Sequence, residues 1–154
     1  MTQLTGHCAC GAIEFELTDT PLFVHCCHCT WCQRETGSAF ATNVLIESSS
    51  LHLNQGETEA TPIPSNSGHG QIIHRCPTCK TAVWSHYGGA GEKMSFVRGG
   101  TLTSPPDPDI HIFTSTKLPW VVIPEGVVQT SEYYDPRKEW SENAQLRWRQ
   151  MMGK

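Results

Sequence analysis

The sequence predicts a mainly β fold, small and stapled by clustered cysteines, with a single α-helix at its C-terminal end. Three observations carry this. Short segments alternate apolar and polar residues with period two, as at Ile13, Phe15 and Leu17 against Glu14 and Glu16, the signature of half-buried strands. Four of the eight cysteines fall within residues 26–32, a density that core packing does not need. Residues 137–152 contain no Gly or Pro, and Trp140, Ala144, Trp148 and Met151 recur there at helical spacing.

The elements follow in order. Gly6-His7-Cys8-Ala9-Cys10-Gly11 reads as a turn. Two ligands one residue apart reach one metal only if the backbone is sharply shaped, and flanking glycines ease that shape. Residues 12–17 form a half-buried strand. Pro21 breaks the chain, and residues 22–25 form a short strand leading into the cysteine loop. Residues 31–36 suit a helical turn ended by Gly37. The apolar, β-branched run 39–46 suits a buried strand, and 51–53 another. Residues 55–70 are polar and rich in turn formers, with a strand near Glu59–Ile63. Gln71–Arg75 and Ala82–Tyr87 flank Cys76-Pro77-Thr78-Cys79 as a hairpin whose tip grips metal. Residues 88–91 form a turn and Met94–Arg98 a strand. Residues 103–109 carry three prolines and do not suit a central strand. Residues 111–113 form a brief strand. The tail predicts one amphipathic helix of about 12–15 residues within 137–152, docked on the sheet through its tryptophans.

The bulk properties bound the function. The 154 residues suit a single domain over 1–154, with its core in about 5–125. A hydrophobic fraction of 38% and a charged fraction of 17% describe a globular chain. A formal charge of −4, with Lys and Arg scattered, argues against nucleic acid as a partner. No run reaches the roughly 20 apolar residues of a membrane span, and residues 1–15 lack the basic and apolar regions of a secretory signal. A cytoplasmic location with reduced thiols is expected. Four disulfides are the plain alternative for eight cysteines, but Cys-x-Cys and Cys-x-x-Cys neighbours fit disulfide geometry poorly and metal knuckles well.

The cysteines fall into three groups: Cys8 with Cys10; Cys26, Cys27, Cys29 and Cys32; Cys76 with Cys79. The two pairs together supply four thiolates, the number a structural zinc takes. Cys27-x-Cys29-x-x-Cys32 offers three from one turn, and three ligands with an open position distinguish a reactive zinc from a structural one. Spacing leaves two alternatives: Cys26 or His28 closes the second set, or the central loop joins one of the pairs.

The pattern resembles the glutathione-dependent formaldehyde-activating enzyme family, also called centromere protein V-like. The residues that carry it are Gly6-His7-Cys8-Ala9-Cys10-Gly11, the run from Cys27-His28-Cys29-Thr30-Trp31-Cys32 through Gln33-Arg34-Glu35-Thr36-Gly37-Ser38-Ala39-Phe40, Cys76-Pro77-Thr78-Cys79, Gly100-Thr101-Leu102, and the segment from His111-Ile112-Phe113 to Pro119-Trp120. The resemblance implies a β-rich fold with two zinc ions per chain. Cys8, Cys10, Cys76 and Cys79 map onto the structural site, and Cys27, Cys29 and Cys32 onto the catalytic one. It also implies a carbon–sulfur lyase that joins formaldehyde to glutathione, giving S-hydroxymethylglutathione for a separate dehydrogenase. Lys80 stands where a glycine often follows the second knuckle, and Cys26 is a thiol added beside the reactive trio.

Arg34, two residues past the last ligand, is a candidate to pair a glutathione carboxylate. Ser38 and Phe40 are candidates to line the same pocket, and His28 to support a ligand or move a proton. Three thiolates on Zn²⁺ leave the site at formal charge −1, which suits a sulfur-directed role better than water activation. The different-class alternative is a non-catalytic zinc module that binds a protein. A thiol and a small aldehyde are the expected partners. A three-thiolate site is prone to lose metal or oxidise, and a homodimer is one option for the assembly.

Overall fold

The computed structural model describes residues 3–154. Its strands are β1 (Leu4–His7), β2 (Glu14–Leu17), β3 (Phe23–Cys27), β4 (Ala41–Glu47), β5 (Leu51–Gln55), β6 (Glu59–Ile63), β7 (Gln71–Arg75), β8 (Ala82–Tyr87), β9 (Met94–Arg98), β10 (Ile110–Ile112) and β11 (Val128–Gln129). Its α-helices are α1 (Thr30–Thr36), α2 (Pro136–Glu139) and α3 (Glu142–Met152). The fold is mainly β, as its alternating segments predict. A three-stranded sheet runs β1-β2-β5, and an eight-stranded sheet runs β11-β10-β3-β4-β9-β8-β7-β6. Pairing is antiparallel except where β10 lies parallel to β3 and to β11.

The large sheet is apolar on both faces, and its register shows why. Val24, Val44, Val97 and Trp84 stand on one rung of neighbouring strands, and Phe23, Leu45 and Phe96 stand on the next. Successive side chains point to opposite faces. The valine rung packs with Ile13, Phe15 and Leu17 of the small sheet, together with Cys8, Cys76 and Leu102. The phenylalanine rung packs with Ile110, Ile112, Tyr134, Trp140 and Ala144. Two cores thus lie on opposite sides of one sheet. Gly6 sits opposite Phe15 across the β1–β2 pair. A Cβ there would lie 2.5 Å from Phe15 Cζ and 2.8 Å from the Thr101 carbonyl oxygen, so this strand position has room for glycine alone.

Three segments differ from the sequence expectation. The tail forms two helices, α2 and α3. Trp140 adopts an extended backbone between them, and the Ser141 hydroxyl caps α3 by accepting the Ala144 N–H at 3.1 Å. Serine offers the backbone that local alternative to a continuing helix. Trp140 still docks on the sheet, 7% exposed, with its indole N–H donating to Tyr134 Oη at 2.9 Å. Gly6 and His7 belong to β1, before the turn. β3 runs through Cys26 and Cys27, so those two cysteines sit on a strand with their side chains on opposite faces.

Candidate metal centres

The β7–β8 hairpin carries Cys76 and Cys79 at its tip, and the turn between β1 and β2 brings Cys8 and Cys10 to it. All four sulfurs lie within 4.8 Å of one another. With Zn–S near 2.3 Å, neighbouring sulfurs of a tetrahedral site lie about 3.8 Å apart. Cys10 Sγ stands 3.6 Å from Cys8 Sγ and 3.8 Å from Cys76 Sγ, spacings that suit a tetrahedral zinc. The Ile13 N–H donates to Cys8 Sγ at 3.3 Å. Thr81 joins the two knuckles: its hydroxyl oxygen accepts the Ala9 N–H at 3.3 Å and lies 3.0 Å from Cys79 Sγ. That hydroxyl, with the Thr81 N–H, holds the Cys79 thiol down, to about 5. The knuckle turn ends on Lys80, whose N–H donates to the Cys76 carbonyl at 2.9 Å and whose φ is 65°. A lysine in this left-handed conformation costs about 1–2 kcal/mol relative to glycine.

The second set is local. Cys27 ends β3, Cys29 is the N-cap of α1 and Cys32 lies in its first turn. Cys29 Sγ accepts the Cys32 N–H at 3.3 Å, sulfur standing where a serine oxygen caps other helices. Gly37, with φ of 64°, closes the helix. The three sulfurs lie within 4.8 Å of one another. Hydrogen bonds from the neighbouring thiols hold Cys29 down, to about 2, while the bond with Cys29 pushes Cys27 up to about 12. Metal loading at such a trio would displace the remaining thiol protons. Cys26 and His28 do not close this set. They turn to the opposite face, where Cys26 Sγ, His28 Nε2 and His111 Nδ1 form a third cluster.

An ionic network ties α1 to the sheet. Glu35, one turn past Cys32, accepts Arg98 Nη2 at 3.0 Å and Arg75 Nη2 at 2.9 Å. Arg98 also donates to Asn43 Oδ1 at 2.9 Å, and Arg75 to the Lys80 carbonyl at 3.1 Å. The α1 loop and the four-cysteine knuckle are thereby joined through Glu35 and Arg75.

A family model described as glutathione-dependent formaldehyde-activating enzyme matches residues 3–116. The chain belongs to the glutathione-dependent formaldehyde-activating enzyme family. The matched span includes all eight cysteines and His111, and it ends before α2 and α3. A solved structure of a Rhodobacter sphaeroides protein is 21% identical, covering 66% of this chain and 90% of that one, with a TM-score of 0.49. No curated protein matches the chain.

In this formaldehyde-activating family member the candidate substrate contacts all lie at exposed positions. Arg34 is exposed and makes no ion pair among the described residues. Ser38 is exposed, its N–H donating to the Gln33 carbonyl at 3.2 Å. Phe40 is 37% exposed, with its ring centroid 5.3 Å from that of His28. Sequence reasoning passed over Tyr87 and Tyr133. Burial pushes Tyr87 up to about 12 against the pull of Arg98, with charge on Cys32 and Cys27 adding to the rise. Burial likewise raises Tyr133, with charge on Cys27 adding. Tyr133 is nevertheless 51% exposed, at the open side of the cluster of His25, Phe113 and Tyr134. Both tyrosines lie outside the cysteine motifs; Tyr87 ends strand β8, and the only sequence signal of Tyr133 is its place in an aromatic doublet with Tyr134.

Proposed function

We propose that residues 1–154 act as one unit, a zinc-dependent carbon–sulfur lyase of the S-(hydroxymethyl)glutathione synthase type, joining glutathione to formaldehyde. The observation that carries this reading is the trio of Cys27, Cys29 and Cys32, which converges without a fourth Cys, His, Asp or Glu among the described residues. A zinc ion held there by three thiolates, at net formal charge −1, would supply a soft Lewis-acid position that lowers the pKa of an incoming thiol.

The chain's own residues do the rest. Cys29, capping α1, fixes the helix that carries Cys32. Gln33 Nε2 donates to the His28 and Thr116 carbonyls at 2.9 and 3.0 Å, pinning the loop against the chain after β10. In the reaction a sulfur–carbon bond forms as the thiol sulfur attacks the aldehyde carbon. The C=O π pair moves to oxygen, which takes up one proton. Tyr133 Oη, kept protonated at neutral pH and half-exposed, is the phenol we assign to hand over that proton and regain one from solvent. Arg34 is the exposed cation nearest in sequence for a glutathione carboxylate. A reducing cytoplasm suits the three free thiols.

Exchange between ¹³C-formaldehyde hydrate and S-hydroxymethylglutathione, followed by two-dimensional exchange NMR, tests the proposal. The zinc-loaded protein is expected to accelerate exchange and the Cys29→Ser variant to leave the spontaneous rate unchanged. No acceleration at millimolar glutathione, together with no change in zinc–sulfur coordination by X-ray absorption, overturns it.

A further inference from the structure

We propose that Cys26, His28 and His111 form a third metal site, for a divalent ion of the zinc type, on the face of the sheet opposite the reactive trio. The residues are placed together by register. Cys26 and His28 are two apart along an extended chain and so share a face. His111 of β10 stands beside Cys26 of β3 in parallel pairing, and the His28 N–H donates to the Ile112 carbonyl at 3.0 Å, carrying the ladder one step further. All three side chains are buried: Cys26 1%, His28 0% and His111 9% exposed.

The geometry favours a shared ion over a relay. His28 Nε2 lies 2.8 Å from His111 Nδ1 and 3.6 Å from Cys26 Sγ. One ring nitrogen therefore faces both neighbours, whereas a proton relay through an imidazole uses its two nitrogens in turn. The other nitrogen, His28 Nδ1, has no hydrogen-bond partner. A tetrahedral ion with Zn–N near 2.0 Å and Zn–S near 2.3 Å sets its ligand atoms about 3.3 Å (N to N) and about 3.5 Å (S to N) apart. The sulfur already stands at that distance. The two rings need to part by about half an ångström, a shift within ordinary side-chain adjustment. Thr42 of β4 stands opposite Cys26 in register, a hydroxyl neighbour of the kind that orients a ligating sulfur from outside. One thiolate and two imidazoles form a donor set for zinc, cobalt or copper rather than for magnesium or calcium. An ion here would clamp β3 to β10 directly beneath the loop that presents Cys27 and Cys29.

Metal counting with site variants tests this. The protein is saturated with Zn²⁺, desalted and assayed for zinc per chain. Cys26→Ala and His111→Gln are each expected to lose one equivalent. The double variant is expected to lose the same single equivalent, because both residues serve one ion. Cys27→Ala removes a different equivalent, so failure of the reactive site and failure of this one are told apart. Unchanged zinc in Cys26→Ala and His111→Gln, or independent losses that add in the double variant, overturns the proposal. A second readout uses the unaltered chain. Histidine ¹⁵N spectra during Zn²⁺ titration are expected to move His28 Nε2 and His111 Nδ1 together to metal-bound shifts. Retention of the neutral hydrogen-bonded pattern refutes it without reliance on any variant.

Discussion

Glu35→Ala probes whether the ionic network holds helix α1, which carries Cys32. The Glu35 and Arg98 side chains are 9% and 10% exposed, so their contact counts as a buried pair. Removing one partner of such a pair leaves an uncompensated charge, at about 3–5 kcal/mol. The Arg75 contact is looser, with that side chain 30% exposed, and adds less than about 1 kcal/mol. The expected loss is therefore about 4 kcal/mol. For a chain of 154 residues each kcal/mol moves the melting temperature about 2–4 °C, giving a fall of about 8–16 °C. Urea unfolding and calorimetry of the zinc-loaded protein measure both quantities. Glu35→Leu combined with Arg98→Met removes both charges and is expected to cost less than Glu35→Ala alone. A loss under about 1 kcal/mol for Glu35→Ala, or a double variant no better than the single, refutes the assignment of this pair as the anchor of α1.

Other consequences are as direct. Gly6→Ala places a methyl group against the Phe15 ring and the Thr101 carbonyl and is expected to cost about 1–3 kcal/mol in urea unfolding. Cys8→Ser opens the four-sulfur set; a closed structural zinc site is worth on the order of 10 kcal/mol, as much as a whole domain's stability, so circular dichroism is expected to show no cooperative transition. Burial raises the Tyr134 phenol above its ordinary value of 10.0, so above pH 10 the unfolded chain holds fewer protons than the folded one and stability falls as pH rises. Tyr134→Phe is expected to flatten that alkaline fall in pH-dependent urea titrations, while costing about 1–3 kcal/mol at neutral pH because the Trp140 indole N–H loses its acceptor.

Much of the fold was legible because period-two alternation is a local signal. Ile13, Phe15 and Leu17 are all buried as their pattern requires, and Lys80 takes the positive φ its glycine-like position demands. The grouping of the cysteines was legible for a different reason, since thiols at knuckle spacing have few other uses. Other features depended on partners distant in sequence. The split between α2 and α3 turns on Ser141 finding a backbone N–H to cap, a choice that a Gly- and Pro-free run conceals. The role of Glu35 depends on Arg75 and Arg98, 40 and 63 residues away. Cys26 reads as a spare thiol until strand pairing sets His111 beside it, 85 residues on, a juxtaposition that only the parallel β3–β10 register creates.

The two cysteine pairs of the stapling site also impose an order of assembly. Cys10 and Cys76 are 66 residues apart, whereas Cys27, Cys29 and Cys32 share one turn. At ribosomal speeds of about 5–20 residues per second, the first pair emerges several seconds before its partners. Through that interval the trio already offers three sulfurs and Cys8 with Cys10 only two, so a nascent chain meeting zinc would fill the trio before the four-sulfur set. The four-sulfur set cannot close until residue 79 has left the ribosome, and zinc scarcity during synthesis would be felt there first, as an unfastened tip of the β7–β8 hairpin.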